Sequence, residues 1–244
     1  MVIMKLSIVI PAYNEENRIE NTLRAYHQFF AQQQNESGVE CEFVVVLNGC
    51  KDDTIGVVER TRRELNAHNI VIIDLVQAGK GLAIKAGFAD ALTRSNDVIG
   101  FLDADMSTEP DAFYDLILNL RDNDGVIASR YMPGARISPP RPKYKRWGSR
   151  LIYEPLVKVL FGLSFYDLQC GAKIFKRAVI EKVTPQLTVA QWAFDVELLY
   201  LCRKNGFHVV EIPTVWADKH GSKLTLKAGM RMLGVLLRLR FCRK

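Results

Sequence analysis

Five times before Arg130 the chain runs through a short, nearly unbroken apolar stretch bounded by polar or turn residues: "KLSIVIPAY", "CEFVVVLNG", "NIVIIDLV", "DVIGFLD" and "GVIAS". Strands that are apolar at consecutive rather than alternate positions are covered on both faces, which is the signature of a parallel sheet. The segments between them keep helical spacing. Ile19, Leu23, Tyr26 and Phe30 mark the first, with Asn14 as its expected cap and Glu15 and Glu16 in its first turn. Ile55, Val58 and Leu65 mark the second, and a run of small residues after "QAGKG" predicts a third through about Leu92. Pro110 opens a fourth, which carries Phe113, Leu116, Ile117 and Leu120. Strand and helix in strict turn predict an α/β fold, a Rossmann-like, doubly wound and mostly parallel sheet that keeps its ligands beyond the carboxyl ends of its strands.

The alternation ends near Arg130. "RYMPGARISPPRPKYKR" has Pro, Gly and bases without periodicity and reads as a long functional loop. Helical spacing resumes from Trp147 to Leu163, broken by Pro155. A short segment "DLQCGAKIFKR" follows, then a helix around "AQWAFDVELLYLCRK" and a strand "FHVVEIPTVW". The division expected is a catalytic domain over 1–221 and a basic amphipathic helix over 222–244.

Net charge is +6, a value that invites a nucleic-acid reading, but its distribution argues otherwise. Between Asp124 and Glu154 there are bases and no acid, and the same holds after Asp218; elsewhere acids outnumber bases. Two basic patches on an acidic protein suit a phosphate-bearing substrate or an anionic surface. The bases do not alternate with aromatics as a stacking platform would, and the remaining surface is acidic, so no nucleic-acid partner is expected. The five cysteines have no CxxC spacing, which argues for reduced thiols and against a zinc site. The N-terminus runs directly into a strand, and no stretch approaches the ~18 apolar residues of a membrane span. The expected location is cytoplasmic, peripheral on the cytoplasmic face of a membrane.

Each stretch with chemical potential lies where a strand ends. "PAYNEE" can be a proline turn with a helix cap, and "LNGCKDD" an Asn-Gly turn. "AGKG" enters a helix with backbone N–H groups and one ammonium, as an anion site would, without the spacing of a Walker loop. "DAD", Asp103-Ala104-Asp105, can hold Mg²⁺ or Mn²⁺ while the cation keeps waters and phosphate oxygens as its other ligands. Asp195 shares a helix face with large apolar residues while Glu197 points elsewhere, so Asp195 is either a paired structural acid or a general base.

Taken in order, "SIVIPAYNEE", "GKGLAIKAG", "FLDADMSTEP" and "ASRY" resemble the inverting family-two glycosyltransferases of the GT-A fold. "DLQCGAKIFKR", "WAFDVELLYL" and "EIPTVWADKHGSK" are similar to the dolichyl- and polyprenyl-phosphate glucose and mannose synthases, the glucosyl branch above all. The resemblance implies that Asp103 and Asp105 form a DXD element holding the divalent ion on the donor's diphosphate, with Ala104 beside the nucleotide sugar. It implies that Pro11, Ala12, Tyr13 and Glu15 line the nucleotide, that Lys80 lies near the donor, and that Asp195 is the base. Arg130 and Lys223 would contact the acceptor phosphate. The implied reaction moves a hexose from a UDP-glucose or GDP-mannose type donor to a polyprenyl phosphate at a membrane surface.

One departure stands out: where many members read Asp-Asp-Gly-Ser, this chain reads Leu47-Asn48-Gly49-Cys50. Asn48 offers a donor and an acceptor and could serve in place of the aspartate that reads the base. Two other readings remain open at this point, a transferase with a glycan or small-molecule hydroxyl acceptor and a non-catalytic nucleotide-sugar binding module.

Overall fold

A computed structural model describes residues 3–139, 154–191, 193–217 and 226–241. Seven strands form the main sheet in the order β3-β2-β1-β4-β7-β5-β8. They are β1 (Met4–Ala12), β2 (Val39–Asn48), β3 (Ile70–Leu75), β4 (Val98–Leu102), β5 (Gly125–Ser129), β7 (Ala172–Lys176) and β8 (Val209–Pro213). A small parallel pair, β6 (Arg136–Ser138) and β9 (Val215–Ala217), lies beside it. The helices are α1 (Ile19–Ser37), α2 (Thr54–Glu64), α3 (Lys80–Ala91), α4 (Pro110–Leu120), α5 (Glu154–Phe161), α6 (Arg177–Val183), α7 (Phe194–Lys204) and α8 (Leu226–Phe241).

The doubly apolar strands do what their composition predicts. Leu6, Ile8 and Ile10 of β1, with Phe43 and Val45 of β2, face a core closed by α1, α2 and α4. Val9, Val44 and Val46 point the other way, into a core shared with α3, α6 and α7. Strand order reverses between β1 and β4, and there the pairing of β1 with β4 ends at Val9 and Phe101. Pro11 lies beyond that point, so its missing N–H leaves no ladder bond unmade on the β4 side. That reversal is the switch point beyond which an open α/β sheet is expected to keep its ligands.

One sequence expectation needs correction, and two features go beyond what the sequence reading assigned. α1 begins at Ile19, not after Asn14. Asn14 sits at φ +54° and accepts from the Lys51 N–H (2.8 Å), while the Glu15 N–H donates to Thr54 (2.8 Å), so residues 13–18 are a loop laced to the 51–54 turn. "AKIFK" in the short segment is a central strand, β7, inserted antiparallel to both β4 and β5. Glu197 is as buried as Asp195; it accepts from the Thr188 and Val189 N–H groups and the Thr188 hydroxyl. The predicted loop from Arg130 contains β6, and its remainder after Pro139 lies outside the described residues, as do Trp192 and Lys223.

Candidate active site

Four strand ends build one site. After β4, Asp103 donates its N–H to Gly171 O (3.0 Å) and pairs through Oδ1 with Lys80 Nζ at 2.6 Å. Its Oδ2 lies so close over Gly171 that a Cβ there would stand 1.9 Å away. Lys80 is the first residue of α3, so its ammonium and the helix N-terminus sit on the same edge. Burial works against that ammonium, but the charges of Asp103 and Asp195, with Asp105 behind them, outweigh it and push the Lys80 pKa above the ordinary lysine value.

Asp105 accepts from the Ser107 N–H through Oδ1 (3.0 Å), and its Oδ2 lies 3.8 Å from Arg18 Nη1. Arg18 is held in turn by Glu15 through two bonds of 2.7 Å, which ties the loop after β1 to the acidic turn after β4. Ala104 is buried, its carbonyl taking the Thr22 hydroxyl at 2.8 Å. Pro11 and Ala12 are buried at the end of β1, and Tyr13 is half-buried just beyond.

Asn48 ties neighbouring strand ends together. It is buried, its Nδ2 donates to Ala12 O (2.8 Å) and its Oδ1 accepts from the Gly79 N–H (3.0 Å). The side chain staples the ends of β1 and β2 to the start of α3. Asn48→Asp sets a carboxylate against the Ala12 carbonyl. The expected loss is about 1–3 kcal/mol in urea denaturation, and a variant as stable as wild type would show that the staple is dispensable.

Asp195 stands in the first turn of α7, almost fully buried, with Oδ1 2.7 Å from Lys173 Nζ. Of the two sequence readings, pairing is what the geometry displays, and the charge felt by Lys80 brings Asp195 to the same cluster. Arg130 is paired within the protein. Its Nε (2.6 Å) and Nη2 (2.9 Å) grip Asp167, and its guanidinium lies 5.4 Å and 5.2 Å from the Tyr131 and Trp216 rings. The Asp167 carboxylate is buried and also takes the Arg130 and Gln169 N–H groups.

Whether the acidic turn fits a divalent ion can be read from its oxygens. Asp103 Oδ2 and Asp105 Oδ2 accept no hydrogen bond from a described residue, and both side chains are partly exposed. Two hard carboxylate oxygens without a larger cage fit Mg²⁺ or Mn²⁺ that takes its other ligands from water and phosphate. Among the described residues no group of three or more His, Cys, Asp or Glu gathers.

Sequence reasoning gave no role to Asp167, Gly171 or Lys173. All three lie in the inserted strand and its approach, and a lysine within the apolar "AKIF" was the available signal.

An α/β sheet with an acidic, lysine-paired turn at its switch point is the architecture of a nucleotide-sugar enzyme, and comparison with known proteins agrees. The family described as glycosyl transferase family 2 matches residues 7–184; the chain belongs to that family and is a glycosyltransferase. It is 31% identical over 234 residues to the dolichyl-phosphate beta-glucosyltransferase of Drosophila melanogaster, covering 91% of this chain and 70% of that protein. Its fold is similar to that of glucosyl-3-phosphoglycerate synthase from Mycobacterium tuberculosis, solved with Mn²⁺, UDP and glucosyl-3-phosphoglycerate, with a TM-score of 0.69 at 17% identity over 97% of this chain and 78% of that one. A mannosyltransferase from Pyrobaculum calidifontis in complex with GDP-Man and Mn²⁺ gives a TM-score of 0.63 at 17% identity, covering 99% and 64%. At such identities the likeness is one of fold, the GT-A sheet.

Proposed function

We propose that the protein transfers glucose from a nucleotide sugar, UDP-glucose in preference to GDP-mannose, to a dolichyl or polyprenyl phosphate, with inversion at the anomeric carbon. The observation that carries the reading is the cluster of Asp103, Asp105 and Lys80 at the sheet's switch point, in a chain whose relative over 91% of its length is a dolichyl-phosphate beta-glucosyltransferase. Asp103 and Asp105 would hold Mg²⁺ or Mn²⁺, which when bound supplies positive charge beside the donor's diphosphate. Pro11, Ala12, Tyr13 and Glu15 would border the nucleotide. Lys80 brings a fixed ammonium to where negative charge grows as the bond from the anomeric carbon to the diphosphate breaks. The new bond forms from that carbon to an oxygen of the acceptor phosphate. A phosphate monoester, with a second pKa near ~6, arrives with that oxygen ionised at neutral pH. A hydroxyl acceptor would need a base, whereas Asp195 already has one oxygen engaged by Lys173.

A peripheral membrane position accompanies this acceptor. α8 buries Leu236 and Leu239 and bonds to α5 through Arg240 Nε and Leu160 O (2.8 Å), yet leaves Val235, Leu237 and Phe241 exposed beside Arg238. An amphipathic basic helix of that kind suits an anionic lipid surface. No helix of the described residues is long and apolar enough to cross a membrane. The location we propose is the cytoplasmic face of that membrane.

The first test is thermal stabilisation by UDP, GDP and their sugar conjugates, with and without Mg²⁺ or Mn²⁺. A ligand at 100 times its dissociation constant adds about 2.7 kcal/mol. The expected result is a shift with UDP-glucose that requires the metal, followed by transfer to a short polyprenyl phosphate. No shift with any nucleotide, or transfer only to hydroxyl acceptors, would overturn the proposal.

A further inference from the structure

A lysine with no exposed surface in the middle of a sheet is rare, because an ammonium taken from water needs strong compensation. Lys173 is such a residue. On β7 it lies opposite Phe101 of β4 on one side and Ile127 of β5 on the other. Its ammonium makes two hydrogen bonds and one cation-π contact, all inside the protein. Cys170 O lies at 2.6 Å, Asp195 Oδ1 at 2.7 Å, and the Phe101 ring centroid at 5.3 Å. The same ring lies 5.9 Å from Lys80 Nζ. With no exposed surface, Lys173 reaches the site only through Asp195.

Asp195 is the complement of this arrangement. Lys173 holds Oδ1, and Oδ2 accepts no hydrogen bond from any described residue. We propose that Lys173 is a positioning residue: from the inserted strand it fixes the rotamer of the Asp195 carboxylate, so that one oxygen is anchored and the other is presented to the charge cluster around Lys80. Three charged groups then hang on one structural device. β7 places Lys173 beside Asp195, and its approach at Gly171 seats Asp103, which pairs with Lys80. An apolar residue at position 173 would suit the surrounding sheet far better, which is why the lysine points to function.

The assignment rests on the transfer reading, so wild-type turnover from a nucleotide sugar to a short polyprenyl phosphate is measured first. Lys173→Met is then expected to lower kcat by about tenfold or more while KM for the donor stays within about threefold. In an Asp195→Asn background the same change is expected to alter kcat by less than about twofold, because a residue that acts through Asp195 has nothing left to act on. A Lys173→Met enzyme with wild-type kcat, or equal losses in both backgrounds, overturns the proposal. Should Lys173→Met fail to fold, the double variant removes both charges together and is compared with Asp195→Asn alone. Equal kcat supports the positioning role, and a further loss of about tenfold or more overturns it. If the wild type transfers nothing, the transfer reading falls, and the crystal structure of Lys173→Met decides. An Asp195 carboxylate turned from its present position supports the role, and one that has not moved refutes it.

Discussion

Asp103→Asn lowers kcat by about two to three orders of magnitude while leaving the fold intact; this is the largest catalytic effect we expect from any single substitution. The carboxylate does two things that an amide cannot. It neutralises Lys80 across 2.6 Å, and it offers Oδ2 as a hard anionic donor. With asparagine the ammonium loses the partner that does most to counter its burial, and the acidic turn keeps only Asp105 as a donor. The fold survives because Asp103 is partly exposed and its N–H bond to Gly171 O belongs to the backbone. The measurement is kcat at saturating donor, set beside metal-dependent thermal stabilisation by that donor. Stabilisation should fall with kcat. A variant that keeps both would mean that the acidic turn is no part of the site.

How far the sequence foretold this site depends on the kind of signal each residue leaves. The carboxyl ends of β1, β2, the segment before α3, and β4 were legible because parallel strands are locally encoded: apolar runs that end at turn residues fix both the strand and the place where its ligands lie. Asp103 and Lys80 follow such strand ends and Asp195 stands out as an acid on an apolar helix face, their roles resting on the family resemblance; in the structure the charges of Asp103 and Asp195 both act on Lys80. Residues whose meaning depends on a partner far along the chain were not legible. Asn48 reads as half of an Asn-Gly turn, yet its partner Gly79 is 31 positions on. Lys173 reads as one lysine in a short unassigned segment until β7 is known to sit between β4 and β5. The misread start of α1 has the same origin, since residues 13–18 are shaped by bonds to the 51–54 turn and not by their own helix propensity. Antiparallel insertion is a tertiary choice, and periodicity within "AKIFK" cannot disclose it.

The largest effect on stability is expected at Asp167. Arg130 is a tenth exposed and Asp167 less, and the pair is joined by Nε, Nη2 and the backbone N–H of Arg130. Asp167→Asn leaves a guanidinium buried between two rings without its counter-charge, which costs about 3–5 kcal/mol. The pH dependence has a definite sign. Burial alone would raise the Asp167 carboxyl; Arg130, through its charge and its bonds, more than reverses this and holds the folded pKa below the ordinary carboxylate value. A depressed folded pKa contributes stability above the unfolded value of ~3.9, and that contribution is lost as pH falls through the folded value. The gap between wild type and variant in urea denaturation should therefore stay constant from about pH 5 to pH 8 and narrow only in more acidic solution. A gap below about 1 kcal/mol at neutral pH would place Asp167 among ordinary surface acids. The consequence reaches the active site, because Asp167 also anchors the Gln169 N–H (3.1 Å), and the chain passes from there through Cys170 to the Gly171 carbonyl that receives Asp103. Arg130 belongs to this frame: its charge supports the approach to β7, and through β7 the placement of Asp103, Lys173 and Asp195.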